Sequence, residues 1–395
     1  MALNYYPFSS VSKFTFLTWC CLLFISSEGA AHNVVSFGAR ADARSDSTAA
    51  FLRTWAAACR SAKPATVVVP RGRFLVRQVE FRGPCRSRIS IFIYGTIAAP
   101  ASYLALGNAQ NWILFAHVNG MTIQGGTIDA NGASHWACRK SGKSCPTGAT
   151  SMQFSSANNV VVSGLTSINS RMFHFVINGC KNIKMQNMKL AAPSQSPNTD
   201  GIHVMRSSGV TITGSDIRTG DDCISIGPGS SNLWMENLRC GPGHGVSIGS
   251  LAQSLNEAGV QNVTLTNSVF YGSQNGIRIK SWARQSNGFV RNVLFSNINM
   301  YRVSNPIIID QSYCPSNQGC PHQGLSVKIS SVTYRNIKGT SATPVAVKLH
   351  CSRLKPCSGM RLEDIKLTYG KTRALSSCQH IHGTSSRMVT PLSCF

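Results

Sequence analysis

The chain has 395 residues, 43% of them hydrophobic, enough for a large buried core and too many for a peptide hormone or a scaffold held by disulfides alone. Thirty-eight Lys and Arg against 14 Asp and Glu give a net charge of +24, a field that attracts polyanions. Charge alone does not choose between nucleic acid and an acidic polysaccharide.

The N-terminus does choose. Lys13 precedes an apolar run from Phe14 to Ile25, and small residues follow at Ser26, Ser27, Gly29, Ala30 and Ala31. That order of basic, apolar and small residues predicts a signal peptide over 1–31 and one domain over 32–395. The run is shorter than the roughly 18 residues of a membrane span. The expected protein is secreted and extracellular, with no nucleic-acid or membrane partner. Lys13 and Glu28 cancel, so the mature chain keeps its charge.

Export gives the cysteines a meaning. Fifteen minus Cys20 and Cys21 leaves an odd number, so at least one stays unpaired. The expected disulfides are Cys59/Cys85, Cys138/Cys145, Cys223/Cys240, Cys314/Cys320, Cys351/Cys357 and Cys378/Cys394, with Cys180 free and buried. No Cys-x-x-Cys spacing occurs, which disfavours zinc.

Next comes a predicted helix over Ser47–Cys59. Phe51, Leu52, Trp55 and Ala56 stand at helical spacing after a capping Asp46. It would cover the open end of a stack of repeats.

The repeats run from about residue 120. A small polar residue opens alternating apolar positions, often with Asn at the sixth place: Asn182-Ile-Lys-Met-Gln-Asn187, Asn232-Leu-Trp-Met-Glu-Asn237, Asn262-Val-Thr-Leu-Thr-Asn267, Asn292-Val-Leu-Phe-Ser-Asn297 and Ser331-Val-Thr-Tyr-Arg-Asn336. Weaker copies start at Gly120, Asn159, Gly209 and Gly359. Period-2 alternation means strand, and recurrence every 20 to 50 residues means a solenoid. An all-β parallel β-helix with a short N-terminal capping helix satisfies both; a β-sandwich would not need matching side chains at each repeat. The sixth-place Asn residues are expected to stack as an internal ladder. The segment from about Lys371 reads as a polar tail held by Cys378 and Cys394. Asn262-Val-Thr264 is a glycosylation sequon.

A second strand follows each repeat: Gly201–Met205, Cys223–Gly227, Gly245–Gly249, Gly276–Lys280 and Pro306–Asp310. Asp200, Asp221, Asp222, His244, Arg278, Lys280 and Tyr313 lie on or beside these strands. From Asp200 to Asp222 and from Asp222 to His244 is 22 residues each, which is one coil. An Asp beside a turn is usually a turn residue, and a lone Arg or Lys on a strand is usually solvated. Here the joint placement counts for more: four of the 14 acids fall between 200 and 222, where even spacing puts roughly one. Crowded carboxylates raise the pKa of at least one of them. Glycosidic hydrolysis needs one acid and one carboxylate that activates water or attacks. An Arg and a Lys suit a substrate carboxylate.

Asn198-Thr-Asp200-Gly-Ile-His203, Gly220-Asp-Asp-Cys-Ile-Ser225, Gly243-His-Gly-Val-Ser-Ile-Gly-Ser250 and Arg278-Ile-Lys280 resemble the four signature motifs of the polygalacturonases, glycoside hydrolase family 28. The resemblance runs from about Asn33 to Cys394, with one small departure at Ala43-Arg44, where a Gly-containing turn is common. It implies a right-handed parallel β-helix and inverting hydrolysis of polygalacturonate. Asp221 would be the general acid, and Asp200 and Asp222 would hold the water. His244 would tune the acid. Arg278, Lys280, Tyr313 and Asn198 would bind the sugar. No cofactor and no metal are implied, unlike the calcium-dependent pectate lyases, and the expected state is a monomer. Val79–Cys85, Trp112–Phe115 and Asn305–Pro315 resemble the plant pollen-type exopolygalacturonases, which favours trimming of chain ends. The alternatives are an endo-acting enzyme or a non-catalytic pectin-binding wall protein.

Overall fold

The computed structural model describes residues 1–2 and 30–395. Most of the expected signal peptide therefore lies outside the described residues. Ala30 and Ala31, its last two positions, stand in a strand that pairs with Ala65–Val68.

Each coil of chain contributes strands that pair in parallel with those of the next coil. Eleven strands form one sheet, from Val79–Arg82 to Leu375–Gln379, and 22 form a wider, bent one. The fold is the expected right-handed parallel β-helix. Inside, like stacks on like: Ile183, Val210, Leu233, Val263, Val293 and Val332 are in register, none more than 2% exposed. Parallel strands are buried on their inner face by this stacking, and burial of such side chains stabilises the fold by roughly 25 cal/mol per Å².

The repeat has a backbone cause. The opening residue of every copy has positive φ, between 53° and 71°: Gly120, Asn159, Asn182, Gly209, Asn232, Asn262, Asn292, Ser331 and Gly359. The sixth also has positive φ, between 49° and 59°, at Asn187, Gly214, Asn237, Asn267, Asn297, Asn336 and Asp364. Left-handed backbone favours Gly and Asn, which is why these two exchange along the repeat. The Asn side chains do form ladders, as in Asn336 to Asn297 (2.8 Å) and Asn297 to Asn267 (3.1 Å). These run along the outer rim, exposed to solvent rather than internal as expected, because the turns point their side chains away from the core. Asn262 of the sequon belongs to a parallel ladder, donating to Asn232 at 2.9 Å.

Helix α1 (Thr48–Arg60) caps the N-terminal end. Asp46 accepts from the Thr48 amide at 2.9 Å, and Phe51, Trp55 and Ala58 face the core. Leu52 does not; it is 39% exposed, off the apolar stripe. A second helix, α2 (Ala133–Lys140), interrupts the coils without having been expected. The segment after Lys371 is no tail: Leu375–Gln379 and Ile381–Thr390 pair in parallel with both sheets and add a last coil. All six disulfides form as expected, and Cys180 is free and buried. No helix among the described residues is long and apolar enough to cross a membrane.

Candidate active site

The five expected second strands are neighbours in the eleven-stranded sheet, as Ile202–Met205, Ile224–Ile226, Val246–Leu251, Asn275–Ser281 and Asn305–Asp310. Ile202 pairs with Ile224 and Ile224 with Val246, so Asp200, Asp222 and His244 enter consecutive strands at one level. A cleft of about 380 Å³ opens above them. Its lining includes Asn198, Asp200, Asp221, Asp222, Lys280 and Tyr313.

Within the cleft the three carboxylates have different partners. Asp222 is 1% exposed and pairs with two cations: Arg278 Nη2 reaches Oδ1 at 2.8 Å and Lys280 Nζ reaches Oδ2 at 2.7 Å. Ser247 Oγ adds a bond to Oδ1 at 2.8 Å. Asp221 Oδ1 bonds His244 Nδ1 at 2.8 Å. Burial pushes the Asp221 carboxyl up, but the His244 hydrogen bond and charge, with Lys280 and the Asp222 amide, hold it below the usual range. Asp200 Oδ2 accepts from Ser225 Oγ at 2.7 Å. Burial, then the charges of Asp221 and Asp222, push the Asp200 carboxyl well above the usual range.

Tyr313 stands edge-on to Trp282 with ring centroids 5.8 Å apart, and Lys280 Nζ lies 5.2 Å from its ring centroid. Asn198 lines the cleft without a side-chain bond to the carboxylates. Six of the eight residues singled out in the sequence line one cleft, and the other two, His244 and Arg278, bond to its Asp221 and Asp222. The structure adds a partner that was not expected: Arg278 and Lys280, read as meeting a sugar carboxylate, both also grip Asp222. Asp221, Asp222 and His244 each bring a potential ligand atom within 4.8 Å of the others, but Asp222 spends both oxygens on cations, so the set does not suit a divalent ion.

Ser225, Ser247, His203 and Phe173 belong to the site and were not singled out. The signal for the two serines was a Ser in the middle of two apolar strands, Cys223-Ile-Ser-Ile-Gly227 and Gly245-Val-Ser-Ile-Gly249, at the same place on consecutive coils.

Residues 59–394 match the family model described as glycosyl hydrolases family 28. The chain is 57% identical over 365 residues to a polygalacturonase of Prunus persica, covering 92% of this chain and 93% of that one. It is 42% identical to an exopolygalacturonase of Oenothera organensis, covering 88% and 98%. Among solved structures, an endo-xylogalacturonan hydrolase from Aspergillus tubingensis shares the fold, with TM-score 0.75 at 21% identity, covering 90% and 99%.

Proposed function

The chain belongs to glycosyl hydrolases family 28, and from that premise we propose that it hydrolyses the α-1,4-galacturonosyl links of polygalacturonate, releasing units from chain ends with inversion. The single observation that carries the chemistry is three carboxylates in one cleft, each with a different partner. A protein that only binds pectin has no use for that asymmetry.

In this reading Asp221 and His244 share one proton across their 2.8 Å bond and deliver it to the leaving oxygen. An isolated Asp221 held low would make a poor acid, so the donor is the pair. Asp200 and Asp222 hold the water, and two acceptors on one position suit water better than a covalent nucleophile. Arg278 and Lys280 fix the Asp222 carboxylate in place, and with Tyr313 and Asn198 they meet the sugar. The exo preference rests on the sequence resemblance and on relatives named exopolygalacturonase. Secretion to the cell wall follows from the leader-like N-terminus and fits the six disulfides.

The raised Asp200 carboxyl favours a second reading in which Asp200 is the acid. An aryl galacturonide separates the two, because its leaving group needs no proton. Asp221→Asn should keep near wild-type activity on it while losing activity on polygalacturonate. Recovery by Asp200→Asn instead would exchange the roles. Proton NMR in the first minutes should show the β-anomer first, and viscosity should fall slowly relative to bonds cut. An initial α-anomer would make one Asp a nucleophile, and a fast viscosity drop would make the enzyme endo-acting.

A further inference from the structure

His203, Ser225, Ser247 and Arg278 stand in one register column of the eleven-stranded sheet, each opposite the next. On two successive coils the column builds the same device. Ser247 Oγ donates to Asp222 Oδ1 at 2.8 Å and accepts from Arg278 Nε at 2.9 Å. Ser225 Oγ donates to Asp200 Oδ2 at 2.7 Å and lies 2.7 Å from His203 Nδ1. Each serine follows its carboxylate by 25 residues. The far ends differ. Asp222 is bridged to a guanidinium, which never releases its proton, and Asp200 to an imidazole, which can.

Resting on the hydrolase reading above, we propose that Ser225 and His203 form a proton relay between Asp200 and the water of the cleft. Two states satisfy all three groups. With Asp200 ionised, Ser225 donates to it, His203 Nδ1–H donates to Ser225, and Nε2 carries a lone pair. With Asp200 protonated the bonds reverse: Asp200 donates to Ser225, Ser225 donates to Nδ1, and the ring proton sits on Nε2. One proton entering at Nε2, with one shift along each bond, converts the first state into the second. The reverse passage releases one proton to cleft water, and no other atom changes place. Single displacement leaves a proton on the base and removes one from the acid, so each turnover requires such an exchange.

The surroundings fit this role. His203 lines the cleft, with its ring stacked on Phe173 at 5.1 Å. A Cβ at residue 227 would lie 3.4 Å from Nε2, so Gly227 leaves that nitrogen uncovered. Asp200 itself is 5% exposed and has no ion pair among the described residues; it faces Asp221, Asp222 and Lys280. Burial lowers His203 to about 4, with Asp222 opposing it and Lys280 adding to it, so the ring passes a proton on rather than keeping it.

His203→Gln tests this, because an amide still donates to Ser225 but carries no proton through. On polygalacturonate in dilute buffer, kcat should fall about tenfold with KM within about twofold. Added imidazole, a small proton carrier, should restore kcat in the variant and leave the wild type unchanged. Ser225→Ala, which keeps the His203–Phe173 stack, should show the same loss and rescue, and the double variant should be no worse than either. It also serves if the Gln variant melts early. A kcat within twofold of wild type in Ser225→Ala, or losses that imidazole does not restore, overturns the relay alone. A wild type that releases no reducing ends from polygalacturonate overturns the hydrolase reading and the relay together.

Discussion

Asp221 and Asp222 are adjacent in sequence but differ in what their charge supports. Asp222 balances two cations whose side chains are 9% exposed, and Asp221 meets a half-open imidazole. Asp221→Asn should therefore abolish hydrolysis of polygalacturonate with melting unchanged. Asp222→Asn should abolish it and also destabilise the fold, since breaking a buried pair costs about 3–5 kcal/mol. Equal melting of the two variants would mean that Arg278 and Lys280 find other partners. Asp200→Asn should act in the opposite direction. A buried acid with a raised pKa opposes folding once pH passes its unfolded value of about 4, and the opposition grows until the folded pKa is reached. The variant should thus melt with the wild type near pH 3 and above it at pH 6, by about 1–2 °C. A gap at pH 3 that closes toward pH 6 would show that Asp200 is ionised and welcome in the folded protein.

At the scale of elements, the turn at Ala43 joins sequence to strain. Residue 43, where the family resemblance leads one to expect a glycine turn, is an alanine at φ 61°. Asp42 fixes the turn by accepting from the Arg44 and Ser45 amides at 2.9 and 2.8 Å. Left-handed backbone costs an L-residue about 1–2 kcal/mol, partly offset by the greater freedom of an unfolded glycine. Ala43→Gly should stabilise the protein by about 0.5–1 kcal/mol, read as a higher denaturant midpoint; a lower midpoint would remove strain as the issue. The same backbone logic decided what could be read in advance. Asn and Gly at fixed places marked the coils, and alternation marked the strands. The carboxylates and cations were found because one coil of spacing brings them together. Which cation holds which carboxylate depends on side-chain length and rotamer, and neither leaves a periodic trace. The ladder's outward direction and α2 were missed for related reasons: positive φ reverses where a side chain points, and Ala133-Ser-His-Trp-Ala-Cys-Arg-Lys140 is too short to show a helical period.

The molecule as a whole sets a contrast between its field and its site. The chain carries +24, yet the cleft centre sets Asp200, Asp221 and Asp222 against Arg278 and Lys280 and holds none of that surplus. A polyanion is thus drawn by the surface rather than by the centre. Surface attraction is screened over about 8 Å at physiological salt, whereas the buried pairs around Asp222 are screened much less. Salt should therefore act on capture rather than on chemistry. Raising ionic strength should lower kcat/KM on long polygalacturonate by about tenfold and leave kcat within about twofold. Digalacturonate, which spans few surface charges, should lose much less. Equal losses on polymer and dimer would place the salt-sensitive contacts inside the cleft, at Lys280 and Arg278, and would leave the surplus of basic residues without a part in substrate capture.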